Sequence, residues 1–224
     1  MRLLISGGLL ELKQQESKIT VCTIENPAEY TGVLQDLWSL TQGGEGNAVL
    51  SEKEETISFA KSVDMIMNPF ALDCNSPKVL KAIYQRLEKE ADEESGELLQ
   101  QFQTSAICML DHFVEDGWYP LTYDLDINLG AVFKMYNLRL DFQEVCLAEK
   151  IVNYVKVMHQ ICGIRAFLFV GLKQLFSKEE LQLIYHDILY EEVWLIDFEG
   201  CFKPPLEAEH NMILDADLCA IELN

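Results

Sequence analysis

Residues 73–90, DCNSPKVLKAIYQRLEKE, mark the place where the character of the chain changes. Before them apolar runs are short, β-rich and separated by turn residues; after them long segments of helical period dominate. At about 100° per residue, Lys78, Lys81, Gln85 and Lys89 fall within a sector of roughly 80°, with Val79, Leu80, Ile83, Tyr84 and Leu87 gathered opposite. The stretch therefore predicts an amphipathic helix with a basic outer stripe. Arg86 lies off that stripe and is placed to pair with Glu90 at i+4. Two readings of the stripe stand side by side. Lysine is a good helix former and suits a solvated face; lysines one turn apart also track successive phosphates without reading bases.

Working outward, the N-terminal side reads as β/α. RLLIS (2–6) and ITVCTI (19–24) are β-rich, and NPAEYTGVLQDLWSL (26–40) opens a helix with Asn26 as cap and Pro27 at its first position. GGEGNAVL (43–50) and ETISFA (55–60) read as turn and strand, and SVDMIMNPF (62–70) is an apolar run ended by Pro69. The C-terminal side of the key stretch predicts helices over 77–92, 97–115, about 127–136 and about 142–160. In the last of these Val145, Cys146, Ile151, Val152, Val155, Met158 and Ile161 keep near a 3.6-residue spacing. Then α/β patterning returns: strand AFLFV (166–170), a helix behind the capping box Ser177-Lys178-Glu179-Glu180, strand EVWLIDF (192–198), and a hairpin within NMILDADLCAIEL (211–223). The expected organisation is an α/β domain from residues 1–74 and 150–224, interrupted by a helical domain over 75–149.

The chain has 224 residues, 49% hydrophobic and 24% charged, with a formal net charge of −20. That composition belongs to a folded domain. The apolar start MRLLISGGLLEL is too short and too soon interrupted for a secretory signal, and no run reaches membrane-spanning length, so the expected compartment is a cytosol. Seven cysteines at irregular spacing, without a CxxC pair, exclude a disulfide framework or clustered zinc site and are expected to be reduced core residues. Charge is spread evenly: residues 1–74 carry 5 basic and 11 acidic groups, 75–149 carry 6 and 14, and 150–224 carry 6 and 12. Such a field repels nucleic acid at long range, so DNA binding needs a local basic surface.

TQGGEGNAVLS (41–51) invites a phosphate-loop reading and fails it, because Gly46 is followed by Asn47 rather than Lys and then Ser or Thr. It reads as a turn. In YDLDINLG (123–130), Asp124, Asp126 and Asn128 reproduce positions 1, 3 and 5 of a calcium loop, but Leu129 stands at position 6 and Met135 at position 12. A standard loop is excluded by that pattern. A looser site shared with Glu115, Asp116 or a neighbouring subunit, and a plain polar loop with helix-capping aspartates, both remain. His112, His159, His186 and His210 stand in no nucleophile context, and Trp38, Trp118 and Trp194 are expected in the core or at a domain junction.

Several stretches together resemble the small type II-A CRISPR-associated adaptation protein family (Csn-two). They are LDCNSPKVLKAIYQRLE, VFKMYNLRLD, FLFVGLKQLFSKEEL, VWLIDFE and MILDADL, in this order through most of the chain. The resemblance implies an α/β head looking like a P-loop ATPase fold that has lost its nucleotide motifs, with an inserted helical arm. It implies a non-catalytic ring-shaped homotetramer in the bacterial cytoplasm, supported by Ca²⁺ and binding no nucleotide. Double-stranded DNA ends would enter the hole without sequence readout, and the CRISPR integrase and RNA-guided effector nuclease would be partners. On this resemblance Lys78, Lys81 and Lys89 become candidates to face phosphate, with Lys134, Arg139, Lys150 and Lys156 behind them. It likewise raises Asp124 and Asp126 as calcium ligands, with Glu115 and Asp116 second. Two rival readings are a divergent nucleotide hydrolase and an acidic adaptor that contacts only proteins or mimics DNA.

Overall fold

A computed structural model describes residues 1–15, 19–53, 55–94, 96–115, 117–143 and 146–223, without the side chains of residues 6 and 92–94. The described elements run β1 (Arg2–Ile5), β2 (Leu10–Lys13), β3 (Ile19–Ile24), α1 (Pro27–Thr41), β4 (Val49–Glu52), β5 (Glu55–Thr56), α2 (Phe59–Ser62), β6 (Val63–Ile66), α3 (Pro77–Glu94), α4 (Gly96–Glu115), α5 (Leu129–Met135), α6 (Leu147–Cys162), β7 (Ala166–Val170), α7 (Lys178–Tyr190), β8 (Trp194–Glu199), β9 (Glu209–Leu214) and β10 (Ala220–Leu223). The fold is mixed α/β with two sheets. It divides into two compact units, Met1–Cys74 with Phe142–Asn224, and Asn75–Asp141. The second division falls earlier than the expected 149/150. α6 starts at Leu147 and packs against α7, burying Ile151, Val155 and Met158 in the α/β unit.

The larger sheet has the order β10-β9-β3-β8-β7-β6. Its pairs β6–β7, β7–β8, β8–β3 and β3–β9 are parallel, and β10 closes it as an antiparallel hairpin with β9. Every residue of β3 and of β8 is buried, as parallel strands covered on both faces require. Alternation then assigns the faces. Cys22, Ile24, Ala166, Leu168, Trp194, Ile196 and Phe198 meet Val33 and Leu37 of α1, Phe59 of α2 and the smaller antiparallel sheet, order β2-β1-β4-β5. Phe167, Phe169 and Leu195 point the other way, the side covered by Leu181, Ile184 and Ile188 of α7 and the apolar stripe of α6.

Local chemistry explains the helix ends. Asn26 Oδ1 accepts from Ala28 N (3.0 Å) and Glu29 N (3.2 Å), and Pro27 needs no donor partner at the first position. Ser177 and Glu180 form the expected reciprocal capping box. α6 stops at Gly163, which takes φ 72° while the amides of Gly163 and Ile164 return to His159 O and Met158 O. Two expectations change. ETISFA is strand only at Glu55–Thr56 before turning into α2, and β2 with its sheet was not anticipated. Of the cysteines only Cys22 and Cys74 are buried; Cys108, Cys146, Cys201 and Cys219 are exposed, and Cys162 lies between. Of the tryptophans Trp194 is core, whereas Trp38 is 41% and Trp118 91% exposed. Val145 lies outside the described residues.

The helical unit is α3, α4 and α5 with their connections. α3 and α5 run antiparallel: Glu88 sits beside Gly130, Tyr84 stacks obliquely on Phe133 with ring centroids 5.5 Å apart, and Asn75 meets Leu140. Asn75 works as a clamp, donating to Leu140 O (3.0 Å) and accepting from Leu140 N (2.8 Å), while Tyr84 Oη donates to Leu138 O (2.7 Å). The segment after α4 is held along it by Tyr123 to Asp111 and by Gln103 Nε2 to Leu125 O (2.6 Å). Asn75→Ala removes both partners of Leu140, a loss of about 1–3 kcal/mol for part-buried backbone groups. The expected outcome is a lower thermal or denaturant midpoint for the helical unit with little change in the α/β unit; equal midpoints would reject the clamp.

Candidate nucleic-acid interface

The seven basic side chains selected from sequence separate into two groups. Lys78, Lys81 and Lys89 on α3, Lys134 on α5 and Arg139 just beyond it all belong to the helical unit and are exposed. Among the described residues none of the five pairs with a carboxylate. Lys150 and Lys156 stand on α6 of the α/β unit and are engaged there. Lys150 Nζ donates to Phe70 O (2.9 Å), and Lys156 Nζ lies 3.9 Å from Glu191. Arg86 makes the expected pair with Glu90 at 2.9 Å, which keeps it out of the stripe.

The α/β unit is built against phosphate binding at the places where such folds provide it. The turn from β3 into α1 is Glu25-Asn26-Pro27, without glycine, and the Asn26 side chain already occupies the first amides of α1. The glycine-rich segment 43–47 is a turn, as expected. Its Gly43 and Gly44 amides return to Leu40 O and Ser39 O, and Asp36 accepts from Asn47 N and Ala48 N at 2.7 and 2.8 Å. A Cβ on Gly46 would stand 2.7 Å from Leu40 Cγ, so glycine serves close packing there.

Sequence reasoning missed a buried polar seam on the face of β8 turned toward α7. Asp197 Oδ1 accepts from Leu172 N (2.9 Å), Asp197 Oδ2 and Glu199 Oε1 both receive Lys173 N (3.3 and 3.0 Å), and Gln174 Nε2 donates to Glu199 Oε2 (3.1 Å). Lys173 Nζ then reaches Glu209 Oε2 (2.7 Å) and Pro204 O (2.9 Å), with 5% and 0% of the two charged side chains exposed. Tyr185 Oη and Leu206 N also donate to Glu209. The available signal was a carboxylate at i and i+2 in an otherwise apolar strand, which puts both on one face. Burial, and secondly the charge of Glu199, hold the Asp197 carboxyl well above its usual range. Burial followed by the Glu209 charge likewise pushes the Tyr185 phenol up.

Among the described residues the acidic candidates form no cluster of three. Glu115 is exposed at the end of α4, Asp124 and Asp126 are exposed on the connection to α5, and Asp116 lies outside the described residues. Asn128 Oδ1 is committed to capping α5 through Ala131 N (2.8 Å). Among the described residues no three His, Cys, Asp or Glu side chains are placed to hold a metal ion. Calcium takes six to eight oxygens, so one chain's described residues do not fit a closed calcium site. The histidines are dispersed: His159 Nδ1 donates to Ile164 O (2.7 Å), His186 meets Asp187, and His210 ties β9 to Glu222 of β10 (2.7 Å).

α4 buries no residue among those described, and Leu98, Phe102, Met109 and Phe113 are all exposed along it. At 100° per residue they share a sector of about 60°. Trp118 and Tyr119 stack on each other just beyond its end, 5.6 Å apart and also exposed. No described helix is long and apolar enough to cross a membrane.

These features define a two-unit α/β protein whose helical part carries five cations without a carboxylate partner among the described residues and an exposed apolar stripe on α4. A family model described as CRISPR-associated protein (Cas_Csn2) matches residues 41–218. The chain belongs to this family of CRISPR-associated proteins. No curated protein matches it.

The carboxyl pair yields a pH test. A folded-state pKa above the unfolded value means that the folded chain holds a proton the unfolded chain releases. Stability from Asp197 is therefore fully present below its unfolded pKa of about 4 and falls as pH rises toward the folded value. Asp197→Asn keeps an acceptor for Leu172 N and stays neutral. Its stability relative to the parent should rise as pH rises above about 4 in paired thermal melts, and a constant difference would exclude a raised Asp197 pKa.

Proposed function

We propose that this protein is a non-catalytic binder of double-stranded DNA ends, assembled as a ring-shaped homotetramer, that serves the acquisition of new CRISPR spacers beside the integrase and the RNA-guided effector nuclease. The observation that carries the reading is the placement of cations. In a chain of net charge −20, five basic side chains gathered in one small helical unit lack any carboxylate partner among the described residues. Arg86 is engaged by Glu90 at i+4, whereas the stripe lysines are left open to an external anion. Lysines left unpaired on a rigid helix suit phosphate contact without base readout. The filled strand ends and glycine-free β3–α1 turn favour binding over nucleotide hydrolysis, in keeping with a P-loop-like head that has lost its nucleotide loop.

The exposed α4 stripe supports self-association, since apolar side chains on one face of a helix gain most when a second copy covers them. A ring lets the acidic exterior face solvent while symmetry repeats the lysines around a hole. Calcium in this reading is completed between copies, with Asp124, Asp126 or Glu115 contributing oxygens that no single chain's described residues complete.

The test is a mobility-shift comparison of linear duplex and covalently closed circular DNA in low salt, with calcium and then with chelator. Linear duplex should shift and the closed circle should not. The logarithm of affinity should fall linearly with the logarithm of salt concentration. Lys78→Gln, Lys81→Gln and Lys89→Gln combined should flatten that slope by about 0.9 for each phosphate that is no longer neutralised. Excess chelator should lower the molar mass measured by light scattering. Equal shifts of both DNA forms would reject threading from an end, and no shift of either would turn the reading toward an acidic protein-only adaptor. An unchanged mass in chelator would remove calcium from the assembly.

A further inference from the structure

We propose that the cleft between α3 and α5 is a subsite for a terminal phosphomonoester of a DNA strand, a proposal that rests on the DNA-end reading above. The cleft encloses about 640 Å³ and is lined on the α3 side by Pro77, Leu80, Lys81 and Tyr84 and on the α5 side by Lys134. This is the size range of small-ligand sites, enough for one nucleotide. The antiparallel pairing of the two helices places Lys81 and Lys134 on the lining of one cleft. Lys81 precedes Tyr84 by one turn, and Lys134 follows Phe133, the ring that Tyr84 contacts, so both lie on the Asn75 side of that aromatic contact. Neither lysine has a carboxylate partner among the described residues.

Charge selects the occupant. An internal phosphodiester carries one negative charge, whereas a terminal phosphomonoester carries nearly two at neutral pH. Lys81 and Lys134 outnumber Glu88, the one acidic side chain of the lining, so the net cationic cleft favours the more highly charged phosphomonoester. Pro77 and Leu80 supply apolar surface for the sugar or base attached to that phosphate, a contact that tolerates any sequence. Tyr84 Oη is committed to Leu138 O, so it offers ring surface and no free hydroxyl. The opposing charge is Glu88, two turns or about 10 Å along α3 from Lys81 and packed beside Gly130, where a Cβ would stand 2.7 Å from its Oε1. Glu88 therefore stands two turns from Lys81 but only one turn of α5, about 6 Å, from the level of Lys134, and its carboxylate weakens binding of an anion. The clamp of Asn75 on Leu140 and the Tyr84 hydrogen bond fix both walls before any ligand arrives.

The experiment compares the full chain's affinity for one blunt duplex carrying phosphate at its 5′ ends, at its 3′ ends, or hydroxyls at both, by fluorescence anisotropy at fixed salt. A phosphate on at least one kind of end should tighten binding about tenfold, the equivalent of one charge-assisted hydrogen bond. Lys81→Gln with Lys134→Gln should abolish that ratio. Lys89→Gln, outside the cleft, should weaken all three duplexes together and preserve it. Glu88→Gln should enlarge it. Both cleft lysines are exposed, so a melting curve unchanged from the parent is expected for the double variant. Equal affinity for phosphorylated and hydroxyl ends, or a ratio that survives the double variant, overturns the subsite while leaving DNA binding in place. Absence of binding to all three duplexes overturns the DNA-end reading itself. In that case calorimetry with deoxyadenosine monophosphate decides the source of the phosphomonoester: binding abolished in the double variant would assign the cleft to free nucleotide and overturn the strand-end proposal.

Discussion

The buried ion pair of Lys173 with Glu209 is the interaction on which the α/β unit turns. Removing both charges from water costs several kcal/mol, and the cost is offset only where every remaining polar atom finds a partner. Here Glu209 receives Lys173, Tyr185 and Leu206 N, and Lys173 also reaches Pro204 O. This set solves a topological difficulty. β9 runs parallel to β8 with β3 between them, so residues 200–208 must carry the chain from one end of the sheet to the other without a helix. Six-residue strands are about 20 Å long, within reach of nine extended residues. Pro204 and Pro205 stiffen the extended path, and Lys173 pins it to the turn after β7.

The same seam decides what the unit is free to do. Open parallel sheets bind ligands beyond the carboxyl ends of their strands. In this protein Asp197 and Glu199 already hold the amides of Leu172 and Lys173 at that position, and the α1 amides are held by Asn26. The polar groups that would meet a nucleotide are consumed by the protein's own backbone. The proposed phosphate contacts lie instead on the helical unit, where five cations have no carboxylate partner among the described residues. The overall charge of −20 does not cancel them at contact distance, because salt screens charges beyond about 8–10 Å. A global field slows approach; close contacts decide binding.

Local signals were legible where a short stretch contains its own cause. The Asn26 cap, the Ser177 capping box, the Arg86–Glu90 pair and the β9–β10 hairpin each depend on residues near one another in sequence, and each stands as read. The smaller sheet was not legible, since its strands have two to four residues and are defined by partners that periodicity cannot reveal. Lys150 and Lys156 entered the basic set for a related reason. Their partners, Phe70 O and Glu191, lie 80 and 35 residues away, and only the fold brings them close. The buried carboxylates escaped because an acidic residue in an apolar strand reads first as an edge position, whereas β8 is central and its donors come from the turn after β7.

In the helical unit the apolar side chains are divided unevenly between core and surface. Within Asn75–Asp141 the buried apolar side chains among the described residues are Val79 and Tyr84, a thin core for a unit of this length. α3 and α5 are held by Asn75, by Tyr84 and by its ring contact with Phe133, but α4 turns Leu98, Phe102, Met109 and Phe113 outward. An amphipathic helix takes most of its stability from a covered apolar face rather than from propensity. The proposed self-association would supply that cover with the same side chains that leave α4 uncovered within one chain's described residues. Under that proposal stability and oligomeric state are linked quantities, and the unit's stability would rise with protein concentration.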